Sequence, residues 1–167
     1  DILDLAAAPG GKTMYMTSRG ARVVSNDISI TRLRPLRHRR IVVSDARHAP
    51  FRRQFDVVLL DAPCSATGTI RKNPELKWRL REIQLAHFAS LQRELLTSAL
   101  ALAREAVVYS TCSLEPEEND AVVAGFALDD AAKYVPPGAA RWVENGVLRL
   151  TPESGADGFT AFVVRKA

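Results

Sequence analysis

The sequence has few of the residues that mark secreted, membrane or metal-binding proteins. Its 167 residues include two cysteines, three histidines and two methionines. Cys64 and Cys112 are too far apart for a CxxC redox motif and too few for a four-cysteine zinc site. A disulfide between them is open in principle, but nothing indicates secretion, so we expect reduced thiols. The apolar runs are short and interrupted, which predicts neither a transmembrane helix nor a secretory signal.

What the sequence does have is a hydrophobic fraction of 47%, a charged fraction of 25% and a net charge of +4. This composition suits one globular domain with a single core. Most of the basic residues are arginines, and they cluster between Arg32 and Arg40. Arginine forks bind phosphate and attract nucleic acid, but a solvated helix face has the same composition. Charge alone therefore leaves both interpretations open.

Short apolar runs alternate with longer helical patterns along the chain. Strands are expected at Ile2–Leu5, Arg22–Ser25, Ile41–Val43, Phe55–Leu60 and Ala106–Ser110, with two or three more between Val143 and Val164 around the turn Gly155–Gly158. Helices are expected at Lys12–Arg19, Arg81 to about Ala103 and Pro116–Phe126, and an irregular loop at Ala66–Arg79. Thr31 to about Arg39 could be one helix, but Pro35 interrupts it unless the helix starts there. This alternation predicts an α/β fold, a mostly parallel sheet with helices on both faces. In such sheets, ligands bind beyond the carboxyl ends of the strands.

A glycine turn follows the first expected strand. The segment Asp4–Thr13 reads DLAAAPGGKT, which lacks the first glycine of a P-loop, and the chain has no GxGxxG dinucleotide pattern. Its glycines allow close approach of a ligand to the backbone. Asp27 and Asp45 end the next two strands, where carboxylates suit ribose hydroxyls and an adenine amino group. With Asp4 near a charged amino-acid end, the set predicts an adenosine carrying a methionine tail. The alternative is that each aspartate caps the helix that follows it.

The two cysteines each follow one of two successive strands. Cys64 lies in Asp61-Ala62-Pro63-Cys64-Ser65, and Cys112 lies in Ser110-Thr111-Cys112-Ser113. A buried cysteine is most often a small apolar residue. Two cysteines at loop starts beside strand-end acids favour a chemical role instead.

These segments together resemble the Sun/Nop2 (NSUN) family of RNA cytosine-C5 methyltransferases, which includes bacterial 16S rRNA enzymes. The matching stretches keep the family's order and span nearly the whole chain: AAAPGGKT, NDIS with Arg32, DAPCSATGTIRKNPELKW, VVYSTCSLEPEEN and the terminal DGF. The resemblance implies a Rossmann-like class I S-adenosylmethionine-dependent methyltransferase fold in a single catalytic domain, residues 1–167. Members carry an additional N-terminal RNA-binding region, and we expect that region to be absent from this sequence, which starts without Met inside an apolar run.

The resemblance also implies roles for particular residues. Contacts to S-adenosylmethionine are expected from the strand ends and the glycine turn, namely Asp4, Ala6, Ala7, Ala8, Pro9, Gly10, Gly11, Lys12, Asp27, Arg32, Asp45 and Asp61. Cys112 would add to the cytosine ring and Cys64 would release the product, while Asp61 binds the base and Lys12 supports that pocket. A helix beginning just after Cys112 would lower the pKa of its thiol. RNA contacts are expected from Arg71, Lys72, Lys77 and Trp78, although Trp78 could instead anchor its loop to the core.

Three functions remain open from the sequence. The first is S-adenosylmethionine-dependent methylation of cytosine C5 in ribosomal or transfer RNA through a covalent cysteine adduct. The second is a degenerate family member that acts as an RNA-binding or assembly factor. The third is an exocyclic-amine methyltransferase, which needs no thiol and leaves Cys112 unexplained. In each case we expect a cytoplasmic monomer without membrane or metal binding.

Overall fold

A computed structural model describes residues 1–166, which fall into two compact units. The first unit comprises Asp1–Asp61, Glu94–Val108 and Lys166. The second unit comprises Ala62–Arg93 and Tyr109–Arg165. The long helix α4 (Glu82–Leu102) and the strand β5 (Ala103–Thr111) each contribute residues to both units.

The first unit is built on parallel strands. They are β1 (Ile2–Asp4), β2 (Val23–Asp27), β3 (Ile41–Val43) and β4 (Phe55–Asp61), in the order β3-β2-β1-β4-β5. In the central strand, Leu3 is in register with Val24 on one side and with Val58 on the other. Leu3 and Val58 are completely buried. Continuous apolar strands of this kind are typical of parallel sheets covered on both faces.

Short helices follow the strands of the first unit. They are α1 (Gly11–Ser18), α2 (Ile30–Leu33) and a 3-10 turn at Ala46–His48. Gly10 precedes α1 with a φ of 112°, and a Cβ there would lie 2.6 Å from Cδ1 of Leu36. A side chain at Gly10 would therefore be strained and would clash with buried Leu36.

The second unit is antiparallel in its strands. Strand β9 (Phe159–Arg165) pairs with β8 (Val147–Leu150) and with the two-residue β6 (Leu128–Asp129), and β8 pairs with β7 (Val143–Glu144). Two four-residue helices, α3 (Leu76–Arg79) and α5 (Asp120–Val123), complete it. Its core includes Tyr109 and Phe162, whose ring centroids lie 6.1 Å apart.

The predicted Rossmann-like α/β class is confirmed. Most element bounds agree within a few residues, and the expected tail strands are β7, β8 and β9. Strand β5 begins at Ala103, three residues before the expected Ala106. Among residues 1–166, no helix has the length and apolar character needed to cross a membrane.

Three local predictions were wrong. A single helix from Thr31 to about Arg39 is not formed: α2 ends at Leu33, before Pro35, the residue expected to interrupt it, and no helix starts at Pro35. The segment Ala66–Arg79 is not irregular throughout, since it contains a 3-10 turn at Thr67–Thr69 and helix α3.

The third wrong prediction is the helix at Pro116–Phe126. It is split into a 3-10 turn at Pro116–Glu118 and the short α5, with Asn119 between them at φ −118° and ψ −88°. The Asn119 amide donates to the carbonyl oxygens of Ser113 and Glu115, at 3.0 and 2.8 Å. These side-chain hydrogen bonds compete with the helical ladder and end it.

Candidate active site

A pocket of about 250 Å³ lies in the first unit. It is lined by the ends of two neighbouring strands and by the glycine turn, namely Asp4, Ala6, Ala7, Ala8, Pro9, Gly11, Lys12 and Asp61. All eight are among the residues expected to contact the cofactor. Strand β1 ends at Asp4 and its parallel neighbour β4 ends at Asp61, so both carboxylates are brought to the same edge. The expected residues Gly10, Asp27, Arg32 and Asp45 are outside this lining.

Asp4 is a buried carboxylate with one unpartnered oxygen. Its side chain is 1% exposed, and Oδ2 accepts a hydrogen bond of 2.6 Å from Thr13 Oγ1. The other oxygen, Oδ1, has no hydrogen-bond partner among the described residues. Burial, with the nearby Asp61 charge, raises the pKa of Asp4 to about 6 despite the Thr13 hydrogen bond. A buried polar atom without a partner is rare, and here it indicates a missing donor.

Lys12 and Asp61 form a close ion pair within the pocket lining. Lys12 Nζ lies 2.5 Å from Asp61 Oδ2, and both side chains are partly exposed. Lys12 is in the first turn of α1, directly after the glycine turn. The structure thus brings together the two residues expected to support the base, but it leaves their catalytic roles as predictions.

Asp27 and Arg32 brace the turn and do not line the pocket. Asp27 is 4% exposed and accepts hydrogen bonds from the backbone N–H groups of Ala8 and Ser29, at 3.0 and 2.9 Å. Arg32 donates to the Ala8 carbonyl oxygen at 3.4 Å and lies 3.9 Å from the Asp27 carboxylate. These contacts fix the position of Ala8, so part of the predicted cofactor set holds the backbone of the turn.

Asp45 is a capping residue in this structure. Its side chain accepts from the backbone N–H of Arg47 at 2.9 Å and pairs with the Arg47 guanidinium at 2.7 Å. Those contacts lower the pKa of Asp45 to about 2. The capping alternative considered for the strand-end aspartates thus describes Asp45 here, and its expected contact with an adenine amino group stays a prediction.

The two cysteines meet in the second unit. Both are half-buried thiols that form no disulfide, and their sulfur atoms lie 3.3 Å apart. The hydrogen bond with Cys112, together with burial, strongly raises the pKa of Cys64, although the backbone N–H groups of Ala66 and Cys112 act in the opposite direction. Two sulfurs this close do not ionise together. The pair therefore carries at most one negative charge.

The structure has no continuous helix of the kind expected just after Cys112 to lower the pKa of its thiol. Three residues of 3-10 turn and the four-residue α5 replace it. Elements this short carry little macrodipole. In place of a helix, the structure sets the Cys64 sulfur 3.3 Å from the Cys112 sulfur.

Sequence reasoning missed Glu118, which is completely buried behind the two cysteine loops. Its carboxylate accepts hydrogen bonds from Ser65, Ser113 and Gln92. Ser65 directly follows Cys64, and Ser113 directly follows Cys112. The repeated Cys-Ser pair was the available signal, because two hydroxyls in equivalent loops can share one acceptor.

The expected RNA-binding residues lie in the second unit. Arg71 and Lys72 both pair with Asp157, at 3.5 and 2.5 Å. Lys77 and Trp78 belong to α3, and Trp78 is 88% exposed. Trp78 therefore does not anchor its loop to the core, which removes the structural alternative for this residue and leaves RNA contact as a prediction.

Comparison with known proteins places the chain in a family. The model of the family described as 16S rRNA methyltransferase RsmB/F matches residues 1–161. This chain belongs to the RsmB/F family. The Sun/Nop2-type resemblance of its motifs is thereby confirmed. No group of three or more histidine, cysteine, aspartate or glutamate side chains suited to a metal ion occurs among residues 1–166.

Individual RsmB/F relatives and solved structures agree with this placement. Ribosomal RNA small subunit methyltransferase B of Vibrio cholerae is 41% identical, with 75% of this chain and 32% of that protein aligned. The Pasteurella multocida protein of the same name is 33% identical, with 99% of this chain and 42% of that protein aligned. This chain therefore spans about a third to two fifths of the length of these relatives.

Two solved structures from Pyrococcus horikoshii have the same fold. NSun6 superposes with a TM-score of 0.82 at 32% identity, covering 99% of this chain and 47% of that one. A protein described as a methyltransferase homolog superposes with a TM-score of 0.76 at 28% identity, covering 99% of this chain and 61% of that one.

Proposed function

We propose that this chain transfers a methyl group from S-adenosylmethionine to C5 of a cytosine in RNA through a covalent cysteine adduct. The observation that carries the proposal is the contact between the Cys64 and Cys112 sulfurs at 3.3 Å. Methylation of an exocyclic amine needs no thiol, whereas cytosine C5 needs a nucleophile on C6 before it can attack a methyl group. Relatives named as small-subunit ribosomal RNA methyltransferases favour ribosomal RNA as the substrate.

The first-unit pocket fits the cofactor. The unpartnered Oδ1 of buried Asp4 offers a carboxylate to the ammonium of a methionine tail. The NSun6 structure holds SFG, an analogue of S-adenosylmethionine, which supports the same ligand class here. The bound cofactor would supply an electrophilic methyl group next to the pocket lined by Lys12 and Asp61. The Asp27 contacts with Ala8 and Ser29 hold the turn ready to receive it.

The thiols divide the remaining chemistry between them. We assign the negative charge of the pair to Cys112, which adds to C6, so that the C5–C6 π electrons become available at C5. After C5 has gained the methyl group, loss of its proton restores the double bond and expels the Cys112 thiolate. Once Cys112 is bonded to C6, its sulfur no longer carries the charge that raises the pKa of Cys64, and Cys64 can release its own proton to solvent. We assign acceptance of the C5 proton to the Cys64 thiolate formed in this way. Asp61, held by Lys12, is assigned to the N3/N4 edge of the base.

The proposal includes partners and compartment. We propose that RNA is the partner, that the chain works as a monomer and that it acts in the cytoplasm. The exposed Trp78 and the neighbouring basic residues of α3 suit stacking and backbone contacts with RNA. The single-domain organisation expected from the sequence also remains part of the proposal.

A transfer assay tests the reaction class. The chain is incubated with 16S rRNA and S-adenosylmethionine carrying a labelled methyl group, and the RNA is digested to nucleosides for mass spectrometry. We expect labelled 5-methylcytidine from the wild type and none from Cys112→Ala, which loses the nucleophile. Cofactor binding by calorimetry serves as the folding control for the variant.

The same assay distinguishes the alternatives. Cofactor and RNA binding without any labelled nucleoside would favour a degenerate RNA-binding factor. Label in N4-methylcytidine, undiminished in Cys112→Ala, would assign the chain to the exocyclic-amine class. Either outcome overturns the proposed C5 reaction.

A further inference from the structure

The two cysteine loops of the second unit are joined through the residues next to the cysteines. Ser65 follows Cys64, Ser113 follows Cys112, and their hydroxyl oxygens lie 3.2 Å apart. Both hydroxyls donate to the same carboxylate oxygen, Oε2 of Glu118, the Ser113 contact measuring 2.5 Å. A single acceptor atom therefore connects the two loops.

The second oxygen of Glu118 fixes the first loop to helix α4. Oε1 accepts from the backbone N–H of Ser65 at 2.8 Å and from Gln92 Nε2 at 2.9 Å. Gln92 also donates to the carbonyl oxygen of Pro63 at 2.9 Å, so the residue before Cys64 is held as well. On the other side, the Tyr109 hydroxyl donates to the Glu118 carbonyl oxygen at 2.6 Å.

A carboxylate in this buried position costs free energy that an apolar side chain of the same size would not. Glu118 is completely buried, and its partners are amide and hydroxyl groups. Burial of a charge is costly unless it is fully hydrogen-bonded, and apolar residues of similar volume often give equal stability. What a satisfied polar network adds is one defined arrangement of the groups it joins.

We propose that Glu118 is a positioning residue that holds the Cys64 and Cys112 sulfurs in contact by binding the serine next to each of them. It acts through the two loops and takes no part in bond making. The link to catalysis rests on the proposed methyl transfer, whereas the link to sulfur geometry does not.

Glu118→Gln is the main test, with Glu117→Gln as the matched control because Glu117 is the exposed neighbour. The glutamine keeps the shape but presents an NH₂ group where Glu118 accepts hydrogen bonds, so at least one loop is released. The geometric readout is the equilibrium between the dithiol and the Cys64–Cys112 disulfide in a glutathione buffer. In that exchange, one oxidised glutathione takes two electrons and gives two reduced glutathiones.

We expect the effective molarity of the thiol pair to fall about tenfold or more in Glu118→Gln and to remain unchanged in Glu117→Gln. In methyl transfer, we expect kcat to fall at least tenfold while the dissociation constant for S-adenosylmethionine stays within twofold. If wild type lacks methyl transfer, the proposed function fails, but the disulfide equilibrium still tests the inference.

Single-serine variants keep the inference falsifiable if Glu118→Gln does not fold. Ser65→Ala and Ser113→Ala each remove one donor to Glu118 and should lower the effective molarity two- to fivefold. In a folded Glu118→Gln background, either serine change should have little additional effect, because the interaction is already lost. An unchanged disulfide equilibrium and unchanged kcat in folded Glu118→Gln, or in both serine variants, would overturn the inference.

Discussion

Asp4 and Glu118 are both buried carboxylates, but their surroundings differ. Asp4 in the first unit is 1% exposed and lines a pocket with Oδ1 unpartnered. Glu118 in the second unit is 0% exposed, and both of its oxygens accept hydrogen bonds from neighbouring loops. Asp4 lacks a hydrogen-bond donor that a ligand can supply, whereas Glu118 has all its hydrogen bonds from within the protein.

The difference separates a binding group from a positioning group. Removing a carboxylate from water is costly, and hydrogen bonds must offset that cost. At Asp4 hydrogen bonds offset only part of the cost of burial, which raises the pKa of Asp4 to about 6. At Glu118 the cost is offset by hydrogen bonds from the side chains of two serines and Gln92 and from one backbone N–H. Substitutions at the two sites should therefore have opposite consequences for stability and ligand binding.

The largest expected effect is the loss of stability in Glu118→Ala. Removing the carboxylate leaves several buried donors unpaired, at about 1–3 kcal/mol each. We expect the free energy of unfolding to fall by about 3–5 kcal/mol in urea titrations. Glu117→Ala should stay within about 0.5 kcal/mol of wild type. A loss below about 1 kcal/mol in Glu118→Ala would show that the network contributes little.

Next in size is the loss of ligand affinity in Asp4→Asn. The asparagine oxygen can keep the Thr13 hydrogen bond but loses the charge offered to the cofactor ammonium. A charge-assisted hydrogen bond contributes about 1.5–3 kcal/mol, so we expect S-adenosylmethionine to bind roughly 10- to 100-fold more weakly by calorimetry. Unchanged affinity with retained stability would remove Asp4 from the binding site.

The pH dependence of stability gives a smaller effect with a defined sign. Because the fold raises the pKa of Asp4 from 3.8 to about 6, its protonated form is favoured in the folded state. The contribution of Asp4 to the free energy of unfolding therefore falls as pH rises from about 4 to 6 and is constant above that window. Asp4→Asn should gain stability over wild type across the same window, by about 2–3 kcal/mol. An Asp4→Asn advantage that shrinks as pH rises would contradict this sign.

The smallest expected effect is at Asp45, a third carboxylate that is partly exposed. Its pair with Arg47 lowers the pKa to about 2, so its contribution is present above pH 4 and lost as pH falls toward 2. Solvent screens such a pair, and we expect Asp45→Asn to change the free energy of unfolding by less than about 1 kcal/mol at pH 7. A loss of stability as large as that of Glu118→Ala would show that burial does not determine how much each of these carboxylates contributes to stability.

The strand ends were well predicted because each strand of the parallel sheet ends at a carboxylate or within two residues of one. Strands β1, β3 and β4 all fall at or within one residue of their expected bounds. Asp4 and the Pro-Gly-Gly turn followed from that regularity, whereas the other pocket-lining residues were implied by the family resemblance.

The missed features depend on contacts between residues distant in sequence. Glu118 lies in an acidic stretch that resembles the first turn of an exposed helix, and its burial arises from Ser65 and Gln92. The split of the expected Pro116–Phe126 helix likewise results from the Asn119 amide bonding to Ser113. In the sequence, the local pattern around Glu118 and Asn119 does not distinguish them from surface residues.

The central claim is most directly tested by locating the covalent adduct. Cys64→Ala is incubated with 16S rRNA and S-adenosylmethionine, digested with nuclease and protease, and analysed by mass spectrometry for nucleotide-bearing peptides. We predict an accumulated adduct on Cys112 carrying a methylated cytidine, because addition and methyl transfer proceed while release is impaired. Formation of 5-methylcytidine by Cys112→Ala, with no adduct on Cys112 in Cys64→Ala, would contradict the assignment of the two thiols.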